Sequence, residues 1–376
     1  MSGTLLVCDE GVPQPSRDTA SLRMWRLLLI MRSEGWEIAF HPLHGPAPRL
    51  SGERLRGEGI EVLEPGLDGL SAHLRGRPTP DVVLVSRPHV AEAVLPVIRD
   101  EAPEAGLVYD TLELAHLRVF RQAKATRNTG VMREALRLKA LELELTRAAD
   151  VTLTVAEAER SILEDAVPGA EVAIVPSIHT AGDEPPTPRS GRRPDLVFAA
   201  YWPQPANQAA ARILVDDVWP ALAGRDPDLR LVLIGVEPPE WLGRAAAGSD
   251  GRIVVTGHVP DVAPYLDSAW AAVVTQPFGS GVKGKVLSAL AHGLPTVGTS
   301  IAWEGIPVVD GVHGLVANDP QATIEAVLRL RAGAELWDRL HREGPELVER
   351  HFSFATARAA IVDALARARA RATARA

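Results

Sequence analysis

The sequence predicts an α/β protein with two doubly wound domains, each a Rossmann-like parallel sheet, that face each other across a cleft. Its 376 residues are too many for a single hydrophobic core, so two domains are expected. Short apolar and β-branched runs alternate with helix-length segments, which is typical of parallel sheets covered by helices on both faces. Near the middle, "TAGDEPPTPRSGRRP" replaces this alternation with Pro, Gly, Ser and charge, as linkers do. Because ligands of open α/β sheets bind outside the carboxyl ends of the strands, two such domains enclose a cleft.

The predicted strands follow one another in a regular order. In the first half they are the runs "TLLVC", "EIAFHP", "IEVL", "DVVLVS", "GLVYD", "VTLTV" and "VAIVP", and in the second half "DLVFAA", "LRLVLIG", "RIVVTG", "AAVVTQ", "PTVGT" and "GLVA". This order assigns residues 1–178 to the first domain, 179–194 to the linker, 195–350 to the second domain and 351–376 to a C-terminal helix. In that helix the arginines of "ALARARARATARA" recur every two residues, which scatters them around the helix axis. We therefore expect a solvated helix with a frayed end, and a membrane-surface helix is the alternative.

Composition and charge exclude several classes of protein. The formal net charge of −8 argues against nucleic acid as a partner, because phosphate backbones are bound by basic surfaces. Cys8 is the only cysteine, which excludes a disulfide framework and favours a buried structural thiol over a nucleophile. Neither a signal peptide nor an apolar stretch of roughly 18 residues, the length of a membrane span, is read from the sequence. We expect a soluble, cytoplasmic protein with at most peripheral membrane contact, and the sequence predicts no oligomeric state.

One segment, "QPFGSGVKGKVLSALAHGLPTVGTS" at 276–300, places two lysines among glycines just before an apolar helix. The run "WAAVVTQ" predicts a buried strand, "PFGSG" a turn, and "KVLSALAHG" a helix that Gly293 ends. Glycines let a backbone approach a ligand closely, helix N-terminal amides carry partial positive charge, and Lys283 and Lys285 add full charges. The segment therefore predicts a phosphate site, and the alternative is a plain glycine turn with two solvated lysines.

Two further patterns in the second half suggest other chemistry. Gly279, Gly281 and Gly284 satisfy the dinucleotide fingerprint G-x-G-x-x-G, but they lie deep in the second domain. The next strand also ends at Ser300, where an acidic ribose ligand belongs, so a nicotinamide-dependent enzyme is a minor alternative. The letters "DPD" at 226–228 match the Asp-x-Asp of metal-dependent transferases. They precede a strand and contain proline, which predicts a turn and no metal site.

Segments along nearly the whole chain resemble family 4 glycosyltransferases, in that family's order. The stretch "FGSGVKGKVLSALAHGLPTVGTSIAWEGI", followed by "DGVHGLVANDP", looks like the donor-binding segment of this family, and more narrowly of the bacterial branch whose loop reads G-x-G-x-K-x-K. The stretch "VCDEGVPQPSRDTASLRMWRLLLIMRSEGWEIAF" is similar to its first strand, loop and helix, "YDTLELAHLRVFRQA" to its mid-domain segment, and "VTGHVPDVAPYLDSAWAAVV" to the element before the donor loop. The resemblance implies the GT-B fold. It also implies a transferase that moves a sugar from a nucleotide-diphosphate sugar to an acceptor hydroxyl with retention, and without a metal or other cofactor, in glycan or natural-product biosynthesis.

The resemblance implies a donor site in the second domain. Lys283 or Lys285, with the amides around 280–282, would bind the diphosphate, and the turn "GHVPD" would contact the base. For His258 in that turn, a surface role is the alternative. The donor-binding candidates are Gly279, Ser280, Gly281, Val282, Ser288, His258, Val259 and Tyr201.

The sequence departs from the family at this site. Gln276 and Ser288 stand where the family has two glutamates, and a serine hydroxyl gives no charge-assisted, bidentate contact to a ribose. Tyr201 and Trp202 stand where many relatives place an Arg or Lys, so the diphosphate would depend more heavily on the two lysines. These departures keep two alternatives open. One is a sugar-nucleotide epimerase or pseudo-glycosyltransferase, and the other is a catalytically silent GT-B partner protein.

The first domain contributes candidates for acceptor or sugar binding. In the resemblance, Arg17 and Asp18 lie near the acceptor or the sugar; the alternative is a loop salt bridge with a helix cap from Asp18 or Ser21. His116 falls where a histidine supports the transferred sugar, although a lone helical histidine is often structural. Arg118 would meet phosphate or coat a helix.

The implied mechanism is electrostatic. The leaving diphosphate accepts the proton of the acceptor, while lysine ammonium groups and backbone amides stabilise the charge that grows on it. Lys283, Lys285 and His116 are the predicted catalytic residues. The donor base, the sugar and the acceptor are not predicted.

Overall fold

The structure is a computed structural model that describes residues 3–15, 18–45, 49–180 and 185–375. The chain divides into two compact units. The first consists of residues 1–178 and 354–376, and the second of residues 179–353. Each contains a parallel sheet with helices packed on it, which confirms the predicted pair of Rossmann-like α/β domains.

The first unit contains a seven-stranded parallel sheet in the order β3-β2-β1-β4-β5-β6-β7. Its strands are β1 (Gly3–Asp9), β2 (Trp36–Pro42), β3 (Glu61–Val62), β4 (Val82–Ser86), β5 (Gly106–Asp110), β6 (Val151–Thr154) and β7 (Val172–Ile174). Between them lie helices α1 (Thr19–Ser33), α2 (Arg49–Gly57), α3 (Gly66–Gly76), α4 (Pro88–Glu101), α5 (Ala115–Thr126), α6 (Thr129–Ala148) and α7 (Glu157–Ala166).

Both faces of this sheet are buried, which explains why its strands read as continuous apolar runs. Along β1, Leu5 and Val7 belong to one core, with side chains of α1. Leu6 and Cys8 belong to the other, with side chains of α3 and α4. Alternate side chains of a strand point to opposite faces, so each face needs its own apolar set. Burial raises the pKa of the Cys8 thiol far above its usual value, as expected of a structural thiol.

The second unit contains a six-stranded parallel sheet in the order β10-β9-β8-β11-β12-β13. Its strands are β8 (Asp195–Ala199), β9 (Arg230–Ile234), β10 (Ile253–Gly257), β11 (Ala271–Val274), β12 (Thr296–Gly298) and β13 (Leu315–Val316). The helices are α8 (Pro205–Arg212), α9 (Trp219–Arg225), α10 (Glu240–Ala247), α11 (Ala263–Ser268), α12 (Gly284–Ala291), α13 (Pro320–Ala332) and α14 (Ala334–Phe352), with a π-helical stretch, Ile213–Val218, between α8 and α9. The strand order reverses between β8 and β11, and in open α/β sheets such a switch point is where ligands bind.

The C-terminal helix α15 (Phe354–Arg375) belongs to the first unit, and the expectation of a solvated, frayed helix is wrong. One face of α15 is buried against α1 and the sheet; its buried residues are Ala357, Ile361, Ala364, Leu365, Ala368 and Ala372. A Cβ added to Gly106 would lie 2.8 Å from the Ala368 carbonyl oxygen, so helix and strand β5 approach closely. The arginines pair with carboxylates of the unit, as Arg369 does with Asp81 at 3.0 Å. Small alanines form the packing face, and the arginines surround it.

The end of the predicted linker is fixed to the second unit through Arg192. Its guanidinium donates to the carbonyl oxygens of Thr187 (2.7 Å), Leu266 (2.8 Å), Ala269 (3.0 Å) and His292 (2.9 Å). Two of these acceptors, Ala269 and His292, are the C-caps of α11 and α12, where helix carbonyls lack intrahelical partners. This part of the linker is therefore anchored, while residues 181–184 lie outside the described part of the chain.

None of the helices in the described ranges is both long enough and apolar enough to cross a membrane.

Candidate functional site

The loops that follow the strands of the second sheet leave from one edge. At that edge the Ala200 amide donates to the Ile234 oxygen at 2.8 Å, and the Gly235 amide donates to the Gly257 oxygen at 3.1 Å. The Thr299 amide donates to the Val274 oxygen at 3.2 Å. These bonds hold the ends of β8, β9, β10, β11 and β12 in line. The loops after β8 and β11 flank the switch point.

Residues 277–283, the part of the loop after β11 that leads into α12, need their glycines. Gly279 has φ 154° and Gly281 has φ 67°, conformations that residues with a side chain rarely adopt. A Cβ added to Gly279 would also lie 3.2 Å from Cε of Lys283. The two glycines let the loop curl around the lysine side chain.

Lys283 points back into its own loop and not into solvent. Its side chain is 9% exposed, and Nζ donates to the carbonyl oxygens of Ser280 (3.0 Å) and Gly281 (2.6 Å). The carboxylate of Glu304 lies 3.5 Å from the same nitrogen. The sequence predicted that Lys283 binds phosphate, but in the structure its ammonium group is held by the carbonyl oxygens of its own loop.

Lys285 joins the two loops at the switch point. Its Nζ donates to Oδ1 of Asn207 at 2.6 Å and lies 4.5 Å from the ring centroid of Phe198. Asn207 in turn donates through Nδ2 to the Tyr201 oxygen at 2.7 Å. Burial, and secondarily the charge of Lys283, lower the pKa of Lys285 to about 7. An anion that approached this ammonium group would favour its charged form.

The two positions that differ from the family glutamates lie in different surroundings. Gln276 is 4% exposed, and its Nε2 donates to the Phe278 oxygen at 3.3 Å. Its Oε1 is buried and has no hydrogen-bond partner among the described residues. Ser288 is half-buried in the second turn of α12, and Val282 is half-buried just before that helix.

The base-binding candidates lie farther along the same edge. His258 is exposed and Val259 half-buried, directly after β10. Because β10 is three strand positions from β11, the two strands lie about 14 Å apart at the usual strand spacing. The structure thus places His258 and Val259 on the edge that carries the lysines.

In the first unit, His116 is buried and held by an acidic residue that the sequence analysis missed. Glu142 of α6 is fully buried, and its Oε2 lies 2.5 Å from Nδ1 of His116. The same carboxylate accepts from the backbone amides of Ala115 (2.8 Å) and His116 (3.1 Å), which closes the N-terminus of α5. The spacing of Glu142 from Leu138 and Leu145 puts it on the apolar face of α6, and that position was the available signal.

Two of the remaining first-unit candidates, Asp18 and Arg118, make contacts of the kind named as alternatives. Asp18 caps α1 by accepting from the Ser21 amide at 2.7 Å. Arg118 donates through Nε to Oε1 of Glu113 at 2.6 Å. Arg17 lies outside the described residues. Binding roles for these side chains stay predictions.

Two ion pairs at the carboxyl edge of the first sheet were also missed. Arg87, at φ 75°, donates through Nε to Asp9 at 2.7 Å, and Arg23 contacts Asp110 at 2.6 Å in a fully buried pair. Burial raises the pKa of Asp9, and Arg87 opposes that shift. Both carboxylates end strands, β1 and β5, so they lie where a doubly wound sheet presents its polar groups.

The described residues contain no group of three or more His, Cys, Asp or Glu side chains arranged to hold a metal. The "DPD" letters form a turn before β9, in which the Asp228 amide donates to Oδ1 of Asp226 at 3.1 Å. Asp226 also pairs with Arg331 at 2.8 Å.

Comparisons with known proteins agree with this architecture. Residues 193–332, which include most of the second unit and its glycine–lysine loop, match the family model "Glycosyl transferases group 1". No curated protein is a significant match in sequence.

Similar solved structures cover almost the whole chain at low identity. HepE of Anabaena in complex with UDP-glucose is 14% identical, with TM-score 0.72 over 97% of this chain and 99% of that one. Sucrose-phosphate synthase of Thermosynechococcus elongatus is 14% identical, with TM-score 0.72 over 96% and 97%. The pneumococcal O-GlcNAc transferase GtfA in complex with UDP and GlcNAc is 10% identical, with TM-score 0.69 over 97% and 99%. The chain therefore has the GT-B fold of these structures, and its residues 193–332 are similar to the glycosyl transferases group 1 family.

Proposed function

We propose that the protein transfers a sugar from a nucleotide-diphosphate sugar to an acceptor hydroxyl, with retention at the anomeric carbon and without a metal. The observation that carries this proposal is the loop of residues 277–283 with Lys285, at the switch point of a unit that matches a glycosyltransferase family. UDP or a UDP-sugar in the HepE and GtfA structures supports a nucleotide-sugar donor.

The donor diphosphate binds at the N-terminal end of α12. The first amides of a helix lack intrahelical partners and carry partial positive charge, so they attract a phosphate group. Lys285, in its charged form, adds a positive charge beside them. Tyr201 lies in the loop after β8, and Ser288 lies in α12. We assign both to the ribose and sugar side of the donor.

During transfer, the bond between the anomeric carbon and the diphosphate oxygen breaks, and a bond from the acceptor oxygen forms on the same face of the sugar. The acceptor proton passes to the departing diphosphate. Lys285 and the loop amides stabilise the charge that develops there, and loss of one such donor lowers the rate by about 10²–10³. We assign His116, whose Nδ1 lies 2.5 Å from Oε2 of Glu142, to the support of the transferred sugar.

Two other functions are favoured by Gln276 and Ser288, which stand where the resemblance implies glutamates: epimerisation of a sugar nucleotide, and a partner role without catalysis. Incubation of the protein with a panel of nucleotide sugars and hydroxyl acceptors separates the three. Release of nucleotide that depends on the acceptor supports transfer, and an α-linked product from an α-linked donor supports retention. A changed sugar without nucleotide release supports epimerisation. A protein that binds none of the panel is not a transferase of these sugars, and the proposal fails.

Full activity in the presence of a strong chelator is expected, because lysine and amide groups carry the charge balance in this proposal. Activity that disappears with chelator and returns with a divalent cation contradicts the metal-independent mechanism.

A further inference from the structure

We propose that Lys283 and Glu304 are positioning residues, which turn two loop amides toward the donor diphosphate, and that Lys283 does not contact the diphosphate itself. This inference rests on the proposed nucleotide-sugar function. It revises the expectation that both lysines meet phosphate.

Two carbonyl groups of the loop point toward Lys283. Nζ of Lys283 donates to the carbonyl oxygens of Ser280 (3.0 Å) and Gly281 (2.6 Å), so both oxygens point inward to the ammonium group. The described peptide bonds are trans, and in a trans peptide the N–H points opposite to the carbonyl of the same plane. The amides of Gly281 and Val282 therefore point away from Lys283, to the outer side of the loop.

This orientation of the peptide groups gives the outer side of the loop a concave surface lined by amides. Gly281 has φ 67°, and consecutive amides around a left-handed residue converge on a concave, anion-binding surface. The loop leads directly into α12, whose first amides add to the same positive end. The anion then meets N–H groups and the Lys285 ammonium.

The positive charge of Lys283 is offset on the inner side of the loop. The Lys283 side chain is 9% exposed, and two carbonyl oxygens of the loop accept from its ammonium group. The carboxylate of Glu304, 3.5 Å from Nζ, offsets its charge. A carboxylate this close to a phosphate-contacting ammonium would weaken phosphate binding by repulsion. Beside an ammonium that only shapes the loop, the carboxylate holds the lysine in place.

The effect of Glu304→Gln on diphosphate binding therefore tests whether Lys283 contacts the diphosphate or positions the loop. If Lys283 contacted the diphosphate, Glu304→Gln would remove a competing negative charge and tighten binding. If the pair positions the loop, Glu304→Gln loosens Lys283 and weakens binding, by about tenfold if one charge-assisted amide contact is lost.

The experiment uses the full chain labelled with [15N]glycine and [15N]valine and inorganic pyrophosphate as the probe, so that no base or sugar need be known. The variants are Lys283→Met, Glu304→Gln and the matched control Lys285→Met, each checked for folding by circular dichroism. We expect the amide protons of Gly281 and Val282 to shift downfield on pyrophosphate binding in the wild type. Lys285→Met weakens binding but keeps both shifts at saturation. Lys283→Met and Glu304→Gln weaken binding and diminish the shifts.

Two results overturn the inference while wild-type binding stands. One is tighter binding by Glu304→Gln. The other is a pair of unchanged shifts at saturation in both Lys283→Met and Glu304→Gln. If the wild type binds neither pyrophosphate nor any nucleotide sugar, the proposed function fails, and the inference fails with it. A variant that does not fold is replaced by Glu304→Asp, which keeps the charge and should retain part of both shifts.

Discussion

Donor binding should take up a proton through Lys285 at pH above 7. Burial and the neighbouring Lys283 lower the pKa of this ammonium to about 7, so about half of the free protein carries the charge at pH 7 and about a tenth at pH 8. If only the charged form binds the diphosphate, the apparent Kd is the intrinsic Kd divided by that fraction. The Kd should then rise about fivefold from pH 7 to pH 8 and approach tenfold for each further pH unit.

Calorimetry in buffers with different heats of ionisation measures this uptake directly. At pH 8 we expect about 0.9 proton taken up for each donor bound, from the same pKa. Lys285→Arg, which stays charged throughout, should bind without proton uptake and with a flat pH profile. Uptake near zero in the wild type, or equal uptake in Lys285→Arg, would refute the assignment of the anion site to Lys285.

The same pKa has a consequence for stability, with a defined sign. A lysine whose folded pKa is lowered binds fewer protons in the folded state than in the unfolded state between pH 7 and the usual lysine pKa of 10.5. The free energy of unfolding should therefore rise with pH across this window, by up to about 1.4 kcal/mol per pH unit relative to Lys285→Met. Urea unfolding at several pH values checks the difference, and a difference that falls with pH contradicts it.

Three further predictions concern named positions. Gly279→Ala should weaken donor binding about tenfold, because φ 154° and a contact of 3.2 Å to Lys283 oppose a Cβ, whereas Gly243→Ala, with open space around it, should leave binding unchanged in the same titration. Glu142→Gln should lower the free energy of unfolding by about 1–3 kcal/mol in urea, because an amide replaces a carboxylate that accepts from His116 and two backbone amides; exposed Glu134→Gln is the control. Ile361→Ala should lower it by about 2–5 kcal/mol by leaving a cavity under α15, whereas Arg358→Ala, which removes an exposed ion pair with Glu34, should change it by less than about 1 kcal/mol. Equal effects in a variant and its control would contradict the reason given for that pair.

The strand–turn–helix around the glycine–lysine loop was predictable because its signals are local. Apolar runs fix β11 and α12, and glycines fix the turn between them. The direction of each lysine was not predictable. Lys285 finds its partner at Asn207, 78 positions away, and Lys283 turns inward because the glycine backbone leaves room for it.

Two other features show why pattern alone was insufficient. In α15 the regularly spaced arginines predicted a solvated helix. The alanines and Ile361, at helical spacing, form the buried face. Glu142 looked like one of several acids in α6, and only the position of α5 gives it a histidine and two amides to accept from. Both outcomes depend on contacts between distant segments, which periodicity does not encode.

The return of α15 to the first unit means that the second unit is an insertion within the first. The ends of the inserted unit meet, since the His179 amide donates to the Phe352 oxygen at 2.8 Å. On the ribosome, residues 179–353 emerge before α15, so the sheet that contains β5 must wait for residues 354–375 before that helix can cover it. The N-terminal half of the protein is thus the last part to become fully buried, and truncation of the final helix should leave an aggregation-prone nascent sheet beside an already folded insert.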